Sequence, residues 1–515
     1  MRDQPGDTTE WGIVSQPRAR VAIIGGGPGG YEAALVAAQL GAEVTVVERD
    51  GLGGACVLSD CVPSKTLIAT SGLMAGLDRA VSLGIRLTRP GPGAAAGPGP
   101  SAVQGAAGPD RTGLDRTEPG GTGPGGSRAA ATVDAPRLYS RVKGLARAQS
   151  ADVAGRLAAE GVEVISGVAE LAGPRTVAVG NREISADVIL IATGAQPRML
   201  PGAVPDGDRL LTCRQLYDLD ELPAELIVVG SGVTGAEFAS AYQALGSQVT
   251  LVSSRNRVLP HEDADAAVVV EDVFRRRGMT VLGRSRAAQA RRAGDGVVVT
   301  LADGRTVRGS HCLLTVGMEP CTAGLGLAGA GIAVDDRGFV PVDKVSRTSV
   351  PGVYAAGDCT GVWMLASVAA MQGRIAMWHA LGEAVQPIRL SHVAATIFTE
   401  PEIATVGISE QAVTDGEPDV LIVKLPLATN ARAKMQGFRD GFIKLFARAS
   451  SGIVLGGVVV APRASELILG VSLAVEQALT VDQMAHTFTV YPSLSGSLTE
   501  AARRLMQPAA AGWPG

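Results

Sequence analysis

Residues 20–50 read RVAIIGGGPGGYEAALVAAQLGAEVTVVERD. An apolar run, VAIIG, meets a glycine cluster with Gly25, Gly27 and Gly30; an alanine-rich stretch over 31–40 follows, and EVTVVE ends on Glu48. That order predicts a strand, a G-x-G-x-x-G turn, a helix, a second strand and an acid, all within one βαβ unit. Glycines at those places let the backbone close on a pyrophosphate at a helix N-terminus, and the acid is placed to hold a ribose. The glycine pattern alone is weak. With its strand context and the acid at the strand end, it reads as a dinucleotide site.

A second copy follows two hundred residues on. AELIVVG leads into Gly230, Gly232 and Gly235, then Glu237, a helical stretch to about Leu245 and the strand QVTLVSSRNR. Two fingerprints imply two dinucleotides, with their halves facing each other. This second strand ends without an acid: Ser253 and Ser254 lead into Arg255 and Arg257. An acid there would select NAD(H) through the ribose 2′-hydroxyl, whereas arginines accept a 2′-phosphate. Surface arginines also occur without any ligand, but the pattern points to NADP(H) used at least as well as NAD(H).

Between the two fingerprints, residues 51–66 read GLGGACVLSDCVPSKT. Cys56 and Cys61 are spaced so that one helical turn could bring them within reach of a disulfide. An isolated C-x4-C is more often two free, half-buried cysteines. Directly after a nucleotide fingerprint, a dithiol that trades electrons with a flavin becomes the better reading. No second Cys or His pair stands near, so no metal site is expected.

The bulk numbers set limits. The 515 residues suggest about three domains with ample core. A net charge of -4 argues against nucleic acid or an anionic membrane as partner. No apolar run approaches the roughly 18 residues that span a bilayer. The first twenty residues are polar and acidic where a signal peptide needs an apolar stretch, so a cytoplasmic location is expected. Six cysteines in a chain this long are no structural disulfide framework.

The pattern divides the chain into an N-terminal tail (1–18), a first nucleotide domain (19–205), a second (206–322), a return to the first (323–390), an α+β domain (391–505) and a short tail (506–515). Residues 88–131 are rich in Gly, Pro, Ala and Ser without apolar periodicity, which predicts a disordered insert. A helix is expected over about 136–160, and Val297 to Leu301 followed by Asp303-Gly304 predicts a hairpin. The strand VYAAGD ends in Gly357 and Asp358, and hydrophobic strands from about Ser391 onward carry no nucleotide motif. The fold class expected is α/β: two Rossmann-like dinucleotide-binding domains plus a C-terminal α+β domain.

Taken together, these motifs resemble the FAD-dependent pyridine nucleotide–disulfide oxidoreductases, which include lipoamide dehydrogenase, glutathione reductase and mercuric reductase. GGACVLSDCVPSK is similar to the family's GGTCxNxGCxPSK, IATGAQP to its ATGxxP, VYAAGD to its second FAD motif, and IFTEPEIATVG to its dimerisation signature. The resemblance covers about residues 19 to 505 apart from the insert. It implies one FAD per chain, a pyridine nucleotide on the second fingerprint and a homodimer built by the last domain. By motif, Cys61 would be the thiol nearest the flavin and Cys56 the exchanging thiol. Lys65 would approach flavin N5 and pair with Glu237, Asp358 would bind the ribityl chain, and Glu48 the adenosine ribose. Further cofactor contacts are implied at Val168, Thr193, Gly194, Gly317, Gly357 and Ala366.

The departures narrow the function. Disulfide-reducing members carry a C-terminal His-Pro-Thr-x-x-Glu whose His moves the proton of the departing thiolate; here that stretch is Tyr491-Pro-Ser-Leu-Ser-Gly496. Neither acid–base group is present, and His486 reads as an unrelated helix-end residue. The C-terminal cysteine pair of mercuric reductases is absent, and the Leu-Ala-His after the second FAD motif is Leu365-Ala366-Ser367. The ending and the Val-Pro-Ser-Lys motif are most similar to the actinobacterial NAD(P)H quinone reductases, some of which lack one of the two cysteines. The resemblance therefore implies electron transfer from NAD(P)H through FAD to a quinone, with Tyr491 as a candidate hydrogen-bond partner for it. Two alternatives stand beside it: a thiol–disulfide reductase with a non-histidine proton donor, and a flavoprotein subunit of a multienzyme complex.

Overall fold

The computed structural model describes residues 18–80, 83–85, 131–416 and 419–506. The insert expected over 88–131 falls, but for Ala131, outside the described residues, as do residues 1–17 and 507–515. Three sheets carry the architecture. The first is five-stranded and parallel, in the spatial order Val353–Ala355, Val188–Ile191, Arg20–Ile24, Glu43–Glu48, Glu163–Ser166. Its central strands are apolar on both faces, with Ile23, Val46, Leu190 and Ile191 at 2% exposure or less, as parallel sheets covered on both sides require. The edge strand Val353–Ala355 arrives from far along the chain, after the second unit is complete.

The second sheet repeats the plan, in the order Thr280–Leu282, Gln248–Val252, Glu225–Val229, His311–Leu314, Leu210–Leu211, again parallel throughout. The expected hairpin is present: Gly296–Leu301 pairs with Thr306–Gly309, and Asp303 closes the turn by accepting from the Arg305 N–H. The third sheet is antiparallel, in the order Ala395–Ile397, Glu402–Gly407, Val454–Ala461, Phe442–Arg448, Val420–Pro426. Helices Ala464–Glu476 and Gly496–Leu505 share a core with its strands.

The first fingerprint helix spans Pro28–Gln39, so it starts three residues before the expected 31–40. Proline at its first turn lacks only an N–H that no helix would have satisfied, and its fixed φ suits the start. The later helix is Ala135–Ala159, capped by Asp134, whose carboxylate accepts from the Arg137 N–H at 3.0 Å.

Lys444 joins the second unit to the third sheet. Its side chain is 1% exposed and its ammonium meets Asp263 at 2.7 Å, Asp265 at 2.8 Å and Glu410. The three acids could have held a metal ion; here a buried ammonium sits among them, its charge compensated by buried Asp263 and by the partly exposed Asp265 and Glu410.

Candidate active site

The glycines of the first fingerprint do separate jobs. A Cβ on Gly25 (φ 104°) would sit 2.3 Å from the Ala192 carbonyl oxygen, and one on Gly30 would sit 1.8 Å from the Gly25 carbonyl. These two bring strand, helix and neighbouring strand into contact. A Cβ on Gly27 would meet nothing within 4 Å. That open face at the N-cap of the helix Pro28–Gln39 is where a pyrophosphate can approach the backbone.

From this turn a long cleft runs between the first sheet and the start of the cysteine helices. Glu48, Val168, Thr193, Gly194, Gly357, Asp358 and Ala366 line it, together with Cys56 and Cys61. Glu48 is less free than the sequence suggests. Its Oε2 accepts from the Gly26 N–H at 2.6 Å, and its Oε1 from Asp50 N–H at 2.7 Å and Gly51 N–H at 3.2 Å. The carboxylate thus pins the glycine turn and still has lone pairs toward the cleft for a ribose. Gly30 lies behind the cleft as packing, not on its wall.

The helices Gly54–Leu58 and Cys61–Ala80 present the two cysteines. Both are free and half-buried. They are hydrogen-bonded to each other: the Cys61 proton toward Cys56 holds the Cys56 thiol below its ordinary value. The same bond pushes Cys61 up, with burial and the nearby Asp60 adding to it. A pair of free thiols of which one is made more acidic by the other is suited to thiol–disulfide exchange, since the thiolate is the attacking form.

Four residues on, Lys65 reaches Glu237 of the second unit at 2.8 Å and lies 4.8 Å from the ring centroid of Phe398. Glu237 is 5% exposed and its other oxygen accepts from the Phe398 N–H at 2.9 Å. Burial alone would pull the lysine down, and the Glu237 carboxylate more than offsets it, so the ammonium is held above its usual range. One ion pair thereby ties together the cysteine helix, the second fingerprint helix and the start of the third sheet.

Two cleft residues carry no motif, and they share the cleft with Asp358, which does. Asp60, immediately before Cys61, is pushed up by burial and drawn back by Lys65 and Arg214. Arg214 lines the same cleft and donates to the Ala195 carbonyl at 3.2 Å. Asp358 is raised to about 6, by burial and then by Asp60. The only signal for Asp60 was a charged residue directly before a reactive cysteine; nothing in the sequence pointed to Arg214.

The second fingerprint is built like the first. A Cβ on Gly230 would lie 2.2 Å from the Thr315 carbonyl, one on Gly235 would lie 1.9 Å from the Gly230 carbonyl, and Gly232 is open. Gly317 (φ 106°) follows the strand His311–Leu314 as Gly194 (φ 69°) follows Val188–Ile191. Gly317 belongs to this second unit and does not line the long cleft. Ser253 is fully buried, with its hydroxyl 2.6 Å from that of Ser231. Ser254 and Arg255 are exposed, but Arg257 turns back, its Nη2 donating to the carbonyls of Pro260 at 3.4 Å and Glu262 at 3.5 Å. That loop contact sets Arg257 apart from Arg255, which is more exposed.

Tyr491 lies at the surface. It is 85% exposed, beside exposed Phe488 and Val490, and does not reach the cleft of its own chain. His486 caps the helix Val481–Ala485 at its C-terminus, with Nδ1 2.8 Å from the Asp482 carbonyl oxygen. Among the described residues, no helix is long and apolar enough to cross a membrane.

Two nucleotide units facing a buried lysine–glutamate pair, with a dithiol on the wall of the first cleft, define a pyridine-nucleotide-dependent flavoprotein oxidoreductase. The family models agree: residues 19–373 match the pyridine nucleotide-disulphide oxidoreductases and residues 393–502 their dimerisation domain. The chain belongs to this family, whose members use FAD and NAD(P)H. It is 52% identical over 501 residues to the NAD(P)H dehydrogenase (quinone) of Mycobacterium tuberculosis, covering 95% of this chain and 94% of that one. To the dihydrolipoyl dehydrogenase of Geobacillus stearothermophilus it is 32% identical over 489 residues, covering 93% and 94%. Among solved structures, LpdA of M. tuberculosis superposes with a TM-score of 0.83 at 51% identity, over 95% of this chain and 100% of that one. The HOCl-induced flavoprotein disulfide reductase RclA of Escherichia coli gives 0.78 at 25%, over 94% and 99%.

Proposed function

We propose that this protein is a cytoplasmic homodimeric NAD(P)H:quinone oxidoreductase. The observation that carries the reading is the stretch 491–496: Tyr491 and Gly496 stand where disulfide reductases hold a histidine and its glutamate. In dithiol chemistry a positioned general acid–base is typically worth about 10²- to 10⁴-fold. Here a tyrosine and a glycine take those two places, so this stretch supplies neither the imidazole nor the carboxylate that would orient it. The 52% identity to a protein named NAD(P)H dehydrogenase (quinone) supports the same conclusion.

The cleft fits FAD by its own geometry. The open N-cap at Gly27 suits a pyrophosphate, Glu48 a ribose, and the buried Asp358 a ribityl hydroxyl. Bound there, FAD supplies the two-electron relay between pyridine nucleotide and quinone. The chain does the rest. Gly25 and Gly30 set the turn, Glu48 orients the adenosine end, and the Lys65–Glu237 pair holds a positive charge at the junction of the two units. Tyr491 serves in a second copy: exposed on its own chain, it is available to hydrogen-bond a quinone oxygen at the partner's cleft, and the matched dimerisation domain supports that arrangement.

A side-by-side assay tests the reading. Purified protein and NADPH are offered naphthoquinones and benzoquinones, against lipoamide, glutathione disulfide and mycothiol disulfide. Every quinone falling below any of these disulfides in kcat/KM would overturn it.

A further inference from the structure

The repeat that builds the two nucleotide units also transfers positions from one to the other. In the first unit the Gly25 N–H donates to the Val47 carbonyl at 2.8 Å, and Val47 pairs with Ile165. Two residues past Ile165 stands Gly167, which lines the FAD cleft between Glu48 and Val168. In the second unit the Gly230 N–H donates to the Val252 carbonyl at 2.9 Å, and Val252 pairs with Leu282. Two residues past Leu282 stands Arg284, next to Ser285, which takes the bonded place of Gly167.

The turn that carries Arg284 is laid directly on the end of the second strand. The Ser253 N–H donates to the Leu282 carbonyl at 2.8 Å, the Ser285 N–H to Ser253 at 2.7 Å, and the Arg284 N–H to Arg255 at 2.7 Å. A Cβ on Gly283 would come within 3.2 Å of the Asn256 carbonyl oxygen, so the two segments are in backbone contact. In the first unit, the bond matching Ser285 to Ser253 is Gly167 N–H to the Glu48 carbonyl at 2.9 Å. Gly283 and Arg284 therefore stand where the first unit has Ser166 alone, one residue more in this turn, and Arg284 lies in the left-handed region at φ 51°. A residue with a Cβ is unfavourable there, where glycine would be at ease. Ser285 anchors the turn, its hydroxyl accepting from Arg305 Nη2 at 2.8 Å. Arg255 and Arg284 are both exposed, and neither guanidinium bonds another described residue.

We propose that Arg284 and Arg255 together hold the adenosine 2′-phosphate of NADPH, and that Arg257 takes no part. This rests on the NADPH preference read from the missing acid at Ser253. Arg284 is thus a specificity-determining residue supplied by the turn after the neighbouring strand, outside the segment where such residues are sought. A planar guanidinium from each side can grip one phosphate with charge-assisted bonds.

The test uses the FAD-loaded enzyme and calorimetric binding of adenosine 2′,5′-bisphosphate and of 5′-AMP. The two probes share the adenosine and differ in the phosphate at issue. Arg284→Ala and Arg284→Gly should each weaken the bisphosphate about 10-fold or more, leave 5′-AMP unchanged, and match Arg255→Ala. Arg284→Gly keeps the left-handed turn without strain, so an effect in both variants reads the guanidinium and not the backbone. Arg284→Lys should recover part of the loss, and Arg257→Ala should leave the ratio of the two affinities unchanged. If Arg255→Ala lowers the ratio and the Arg284 variants do not, the role of Arg284 is refuted while NADPH preference stands. A fall in the ratio for Arg257→Ala refutes its exclusion. A wild-type enzyme that binds both probes equally overturns the preference and the proposal together.

Discussion

The two nucleotide units are the same construction carrying opposite endings. Both close a glycine turn on the neighbouring strand, with Cβ-forbidden contacts at Gly25 and Gly30 in one and at Gly230 and Gly235 in the other. In both, the first glycine's N–H is bonded to the last apolar residue of the second strand. One residue further they part. Glu48 reaches back to the Gly26 N–H, whereas Ser253 is sealed against the Ser231 hydroxyl. The first ending keeps a carboxylate in the cleft; the second removes it and leaves exposed cations around the same spot. The chain then leaves the first strand toward a dithiol and the second toward arginines. The backbone of the two glycine turns is alike, and the difference between the units lies in the side chains at and around the strand end.

The shared part is the most fragile. Gly30→Ala places a methyl 1.8 Å from a carbonyl oxygen that cannot move without opening the sheet. Overpacking of this kind costs about 1–3 kcal/mol, and more where the neighbour is backbone. The variant should lose FAD and fall by at least several degrees in Tm. Gly235→Ala, at 1.9 Å in the second unit, should keep its flavin and lose pyridine-nucleotide binding. Flavin absorbance and thermal unfolding distinguish them, and a Gly235→Ala protein without flavin would mean that the units do not act separately.

Next in size is the link between them. Glu237→Gln keeps an acceptor for the Phe398 N–H but leaves Lys65 without its countercharge. Breaking a buried pair costs about 3–5 kcal/mol, and the partial exposure of Lys65 sets the expectation at the lower end, about 3 kcal/mol. The pH dependence has a definite sign. Lys65 is held above its ordinary value, so the pair's contribution is fully present below the usual lysine range, near 10.4, and is lost as pH rises through the folded-state value. Chemical denaturation at pH 8 and above pH 10.5 should show the wild-type advantage over Glu237→Gln shrinking at the higher pH. A constant difference would assign the effect to packing.

What the chain reveals before folding follows the same division. Glycine spacing, apolar strands and the acid at Glu48 are local, and they give both nucleotide units and the cleft. The hairpin at Asp303-Gly304 is local too. Arg284 is not: its position depends on a turn from another strand lying against Arg255, and its φ is invisible in a list of residues. Arg257 looks as free as Arg255 until its loop folds back on it. Lys444 reads as a strand residue and is an interdomain anchor, because its three acids come from two other segments. Tyr491 aligns with a catalytic position and yet is exposed and does not line its own chain's cleft, which no list of residues could have told.

The difference in endings can be reversed. Ser253→Glu alone would press a carboxylate into a fully buried site against Ser231. Combined with Ser231→Gly, it rebuilds the arrangement of Gly26 and Glu48. The double variant should lower the NADPH-to-NADH ratio of kcat/KM by about 10-fold, the value of one charged hydrogen bond lost to repulsion from the 2′-phosphate. An unchanged ratio would show that the strand end does not set the choice.

The smallest effect is expected where the first unit carries its most conspicuous chemistry. Cys56 and Cys61 are free, hydrogen-bonded to each other and on the wall of the FAD cleft, so they can close a disulfide. Reducing an external disulfide through them needs a group that gives a proton to the leaving thiolate, and the stretch 491–496 lacks the histidine–glutamate pair that does this in disulfide reductases. Electron transfer from a bound flavin to a quinone breaks no sulfur bond and has no such requirement. Cys61→Ser should therefore keep its FAD and retain quinone reduction within about threefold, well under the tenfold that 1.4 kcal/mol represents. The second unit has no thiols at its strand end and still binds its nucleotide, which is the same separation of binding from sulfur chemistry. Steady-state rates with one naphthoquinone, alongside flavin content, decide the matter: a flavin-replete Cys61→Ser enzyme with no quinone reduction would make the dithiol an obligatory relay.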